Sequence, residues 1–114
     1  MILFRPVGTK ELQLIAESGY TRFPPRLPDQ PIFYPVLNEA YAIEIAEGWN
    51  ARYNDDRMGY VTAFEVDDGY CARFEPHTVG RNRHQELWVS AEELEEFNSH
   101  ILGKIKVIRT CSGK

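Results

Sequence analysis

Residues 60–74 read YVTAFEVDDGYCARF, and the alternation within them decides the fold class. Tyr60, Thr62, Phe64 and Val66 alternate with Val61, Ala63 and Glu65, the period-two pattern of a strand with an apolar side. Asp67-Asp68-Gly69 supplies turn chemistry. Beyond it Tyr70, Ala72 and Phe74 alternate with Cys71 and Arg73, so the segment predicts a β-hairpin. Pro76 stops its second strand.

Toward the N-terminus, residues 2–5 predict a short strand ended by Pro6 and Gly8. Thr9 then caps a helix whose Leu12, Ile15 and Ala16 share a face, and Gly19 stands where a helix C-cap belongs. Residues 23–35, FPPRLPDQPIFYP, hold five of the seven prolines and predict an extended, stiff surface loop. Asn38 opens a second helix in which Tyr41, Ile45 and Trp49 recur at i, i+4 and i+8 beside Ala42 and Ala46, a face expected to pack on a sheet.

Toward the C-terminus, residues 77–83 are polar and contain a glycine, hence a loop. Residues 85–89 form a strand with Leu87 and Val89 on one side and His84, Glu86 and Trp88 on the other. Ser90-Ala91-Glu92-Glu93 has capping-box spacing, in which hydroxyl and carboxylate each satisfy an orphan N–H, so a brief helix to about Asn98 follows. Gly103 ends that region, Ile105 and Val107 mark a last strand, and residues after Arg109 fray. About three helices and five or six short strands in a non-repeating order predict one α+β domain over residues 1–114 with a largely antiparallel sheet. No G-x-G-x-x-G or Walker-type loop supports a doubly wound alternative.

The 114 residues, 43% hydrophobic and 26% charged, suit one domain. A net charge of -4 repels polyanions, which excludes bulk nucleic-acid and anionic-membrane binding. Met1-Ile2-Leu3-Phe4 is cut short by Arg5 and Pro6 before a leader or a span can form, so the expected compartment is the cytoplasm. Cys71, in the expected hairpin, and Cys111, in the tail, read as inert thiols. His77, His84, His100 and Cys71 lack zinc spacing, so no metal site is expected.

Three places can carry chemistry. Arg5, at a strand end before Pro6 and Gly8, offers a planar fork for a phosphate or ribose, or else a surface ion pair. Phe33 and Tyr34 lead into a helix N-terminus and can stack on a flat heterocycle, or belong to the core. Glu86 faces away from Leu87 and Val89, toward a groove or solvent. Over a groove, its carboxylate can stabilise the oxocarbenium-like carbon that develops when a glycosyl bond breaks.

The order of these pieces resembles the ADP-ribosyltransferase-like fold: Arg5 on the first strand, a helix ending in Ser18-Gly19, Phe33-Tyr34 leading into the Tyr41-Ala42 helix, and Glu86 on a late strand. RPVGTKELQLIAESG, FPPRLPDQPIFYPVLNEAYA, HQELWVSAEELEEFN and HILGKIKVI also look like the small bacterial proteins labelled "ADP-ribosylation/crystallin J1". The late segment is similar as well to the ends of some bacterial polymorphic-toxin domains. The resemblance implies a split, mostly antiparallel sheet gripping NAD, the substrate, in a central cleft. It assigns catalytic roles to Arg5, Tyr34 and Glu86, with Arg5, Gly8, Phe33, Tyr34 and His84 contacting the dinucleotide. The group's Glu-x-Glu reads His84-x-Glu86 here, which leaves the acceptor of ADP-ribose open. The alternative is a catalytically inactive module on the same fold that recognises a nucleotide, peptide or partner protein.

Overall fold

The computed structural model describes residues 1–29, 31–78 and 84–112. It is an α+β fold whose strands pair antiparallel. Strand β1 (Ile2–Val7) pairs with β3 (Met58–Val66), and β3 with β7 (Ile101–Ser112), in the order β1-β3-β7. On the far side of β1, Val36 continues the sheet alone. Phe4 N–H donates to its carbonyl at 2.9 Å and its N–H donates to the Phe4 carbonyl at 2.8 Å. Val36 in turn bridges Glu86 in β5 (Gln85–Glu86), which pairs with β4 (His77–Thr78). Strand β2 (Ile32–Phe33) lies against β6 (Val89–Ser90).

Side chains directly across an antiparallel ladder share a face. Ala63, Phe4, Val36 and Glu86 form one such row, and Leu3 and Phe64 belong to the opposite face. The Leu3 face carries the larger core, built on Phe23, Phe33, Phe64 and Phe97 and closed by Ile15 of helix α1 (Thr9–Glu17) and by helix α5 (Leu94–Ser99). The Val36 face carries a smaller one, where Ala42 of α2 (Glu39–Ile45) and Ala46 meet Val61 and Cys111. Alanines suit this contact because they let the helix backbone approach the strands closely. Between α2 and the short helix α3 (Ala51–Tyr53), residues Ala46–Asn50 wind as a π-helix.

Several local expectations are corrected. Residues 70–74 do not form a strand. Asp67 accepts the Tyr70 N–H at 3.0 Å and starts helix α4 (Asp68–Cys71), so the turn residues cap a helix and β3 takes β7 as its partner. Cys71 therefore sits in a helix. The C-terminal segment does not fray: Arg109, Thr110, Cys111 and Ser112 pair with β3, Cys111 is buried, and Gly103, at φ 75°, lies within β7 beside a register shift. Gly8, not Thr9, is the N-cap of α1, and the Thr9 hydroxyl bonds the Asp56 carboxylate instead. Residues 23–35 are not wholly superficial, since Phe23 and Phe33 enter the core and Asn98 clamps both main-chain polar groups of Phe23. The strand expected over 85–89 divides into β5 and β6. Of the expected loop 77–83, residues 79–83 lie outside the described residues.

Other expectations match the structure. Asn38 accepts the Tyr41 N–H at 3.2 Å. Gly19, at φ 78°, takes the left-handed position of a Schellman cap, with Tyr20 N–H on the Ile15 carbonyl. The capping box expected at Ser90 is corrected: Ser90 accepts the Glu93 N–H and its hydroxyl donates to the Glu93 carboxylate, but α5 begins only after Glu93, which is its N-cap. No helix among the described residues is long and apolar enough to cross a membrane.

Gly59 shows how tightly the π-helical segment rests on β3, since a Cβ there would lie 2.7 Å from both the Ala46 carbonyl oxygen and Asn50 Cβ. Gly59→Ala is expected to lower the urea-unfolding free energy by about 1–3 kcal/mol through overpacking. Gly48→Ala, whose Cβ would meet nothing within 4 Å, is expected to be neutral or to stabilise by up to about 1 kcal/mol.

Candidate functional site

Glu86 is the anchor of the site. Its position opposite Val36 turns it toward α2, away from the large core that holds Leu87 and Val89. It is only 9% exposed, and both of its oxygens are engaged. The Tyr41 hydroxyl donates to Oε1 at 3.3 Å and the Trp88 indole Nε1–H donates to Oε2 at 3.0 Å. An ionised carboxylate has about four lone-pair positions, so two such bonds orient it and leave acceptor capacity for a ligand.

The orienting groups are themselves braced. His84 stacks on Tyr41, with centroids 4.3 Å apart, and its Nε2 meets Glu44 Oε2 at 2.8 Å. His77 stacks on Trp88 at 3.9 Å, and Tyr34 meets the same indole edge-on at 6.3 Å. Alternation along residues 84–88 places His84, Glu86 and Trp88 on one side, but Trp88 and Tyr41 carry no sequence signature of carboxylate donors. Their role becomes visible only when the register of β5 against Val36 is known.

Arg5, Tyr34 and Glu86 all line one pocket of about 260 Å³, together with Tyr41 and Trp49. Arg5 approaches it differently from Glu86. Alternation along β1 sends its side chain to the large-core face, where the guanidinium lies 4.6 Å above the Phe33 ring. Glu11 grips it there, through Nε at 2.7 Å and Nη2 at 3.0 Å. A phosphate clasped by that same pair of nitrogens would have to displace Glu11.

Phe33 is fully buried, with 0% exposure, so the expectation that it stacks on a cofactor is corrected: its ring is core and a platform for Arg5. Tyr34, its neighbour on the opposite side of the strand, is 41% exposed. His84 stands behind Tyr41 and does not line the pocket. Gly8 borders a second, more open depression of about 880 Å³, which shares Arg5, Pro6, Trp49 and Asn50 as walls with the first. Trp49 is not on the sheet-packed face expected from its i+8 spacing. It is 63% exposed and lines the pocket with Tyr41 and Ile45, while Ala42 and Ala46 take the sheet. Among the described residues no group of three or more His, Cys, Asp or Glu could hold a metal ion.

No known protein family, curated protein or solved structure matches this chain.

The Arg5–Glu11 pair has side chains only 11% and 20% exposed, so removing one partner leaves a charge stranded in a poorly solvated place. Glu11→Ala is expected to cost about 3 kcal/mol in chemical denaturation, and Arg5→Met combined with Glu11→Leu to recover most of it. A double change as damaging as the single one would contradict this.

Burial, reinforced by the Glu86 carboxylate, holds the Tyr41 phenol above its ordinary value of 10. Burial raises the Tyr70 phenol and the Cys71 thiol in the same direction. A raised acid contributes stability that is complete below its unfolded pKa and lost as pH climbs through the folded one. Urea midpoints should therefore fall above pH 9, the ordinary thiol value, and Tyr41→Phe should flatten the part of that decline above pH 10, the ordinary phenol value.

Proposed function

We propose that this chain binds NAD or a related nucleotide, with the nicotinamide-ribose end in the Glu86 pocket, and transfers ADP-ribose from NAD to an acceptor. The observation that carries the reading is a largely buried carboxylate, fixed by two neutral donors, in one pocket with Arg5 and Tyr34. The three residues are those to which the sequence's resemblance to ADP-ribosyltransferase-like proteins assigns the chemistry. Functional ligand pockets run to about 300–1,000 Å³. The smaller pocket suits a ring and sugar, and the adjoining depression has room for the remainder of a dinucleotide.

In the reaction the bond between the ribose anomeric carbon and the pyridinium nitrogen breaks, and its electron pair stays on nicotinamide, which leaves neutral. The sugar carbon becomes cationic until the acceptor's nucleophile attacks it. Glu86 supplies fixed negative charge, or an acceptor for a ribose hydroxyl, where that positive charge develops. A preorganised group of this kind acts without reorganisation at the moment of reaction. Tyr34, half-exposed on the rim, shapes the ring end of the site. Arg5 frames the wall between the two depressions.

The capture of Arg5 by Glu11 favours a second reading, a binding module on the same fold that holds a nucleotide or partner without turnover. Calorimetric titration with NAD, followed by measurement of released nicotinamide, separates the two. Release that falls by roughly 10² to 10³ in Glu86→Gln, with the fold retained, supports the enzyme. NAD binding without release supports the module, and absence of binding overturns the nucleotide reading altogether.

A further inference from the structure

The Glu86 pocket brings together one carboxylate, one arginine and three aromatic side chains. Tyr34, Tyr41 and Trp49 bring three aromatic side chains to it, and the faces of such rings carry negative potential. Glu86 adds a full negative charge, and its partners, the Tyr41 hydroxyl and the Trp88 indole, are neutral donors. Among the described residues no Lys, Arg or His pairs with it. Arg5, the cation on the wall, is already matched by Glu11.

We propose that this pocket selects its ligand by positive charge, taking an organic monocation: a pyridinium ring or a quaternary ammonium head. A carboxylate beside aromatic side chains is the chemistry by which such cations are bound, and the attraction strengthens as the site is desolvated. A hard metal ion would need several oxygen ligands, and this pocket offers one carboxylate. The inference rests on the proposed function for placing the nicotinamide ring in this pocket, and deepens it: the charged ring of NAD is favoured over neutral analogues. Loss of that charge on bond cleavage then weakens the hold on the leaving nicotinamide.

The test titrates the full chain with 1-methylnicotinamide, with nicotinamide as its uncharged counterpart, with tetramethylammonium and with NAD. The methylated cation is expected to bind at least about tenfold more tightly than nicotinamide. Glu86→Gln should erase that preference, and Trp49→Leu, at an exposed position, should reduce it. Tetramethylammonium binding as well assigns the site to any quaternary nitrogen, and its exclusion assigns it to the planar ring. Equal affinity for cation and neutral analogue, a preference untouched by Glu86→Gln, or no cation binding at millimolar concentration overturns the inference. A chain that prefers the cation but neither binds nor cleaves NAD keeps the inference and loses the ADP-ribose reading. One that cleaves NAD with no preference for charge does the reverse.

Discussion

Two main-chain hydrogen bonds between Phe4 and Val36 tie the halves of this fold together. One half is the β1-β3-β7 ladder, and the other is the pairing of residues 32–37 with residues 85–90. Val36 also bridges Glu86, flanked by the Leu37–Gln85 and Leu87–Pro35 main-chain bonds, so residues 35–37 fix the register of the late strands against the first. Because side chains alternate along a strand, a shift of one residue here would turn Glu86 into the large core and Leu87 toward α2. The position of the carboxylate thus follows from main-chain pairing and not from any contact of its own.

That register also separates the two charged residues of the cleft. Glu86 shares a face with Val36 and meets neutral donors from Tyr41 and Trp88. Arg5 points to the other face, where Phe33 and Glu11 hold it. If the two met directly as a salt bridge, each would cancel the other's field in the cleft. Instead the arginine pairs with Glu11, and the glutamate takes its two side-chain hydrogen bonds from neutral donors. The placement of Glu11 in the first turn of α1 serves this division, since it lies close enough along the chain to reach back to β1.

The class of the fold and two of its helix ends were legible from local chemistry. Asn38 and Gly19 act where a side chain, or the lack of one, specifies a helix end, and such signals depend on only a few neighbouring residues. The alternation that set Leu87 and Val89 against Glu86 was equally local. What could not be read locally was pairing. Residues 70–74 alternate as a strand does, yet the edge of β3 that a hairpin would give them is taken by β7. Phe33 and Tyr34 are adjacent and chemically alike, and only the packing of the sheet decides that one is core while the other stands on the rim.

Trp49 illustrates the same limit from the side of the site. Its spacing from Tyr41 and Ile45 is that of a continuous α-helical stripe, which would press all three against the sheet. In the structure all three line the Glu86 pocket instead, and Ala42 and Ala46 beside them take the sheet. Gly59 lets the π-helical turn from Ala46 to Asn50 sit against β3 with the Ala46 carbonyl and Asn50 at close range, and Trp49 stands on the wall shared by both depressions. A wider turn is less favourable for a helix than a regular one and persists where it gains something in return. Ala46 rests on β3 while Trp49, three residues on, stands on the pocket wall, so one short turn carries both the close packing and part of the aromatic lining.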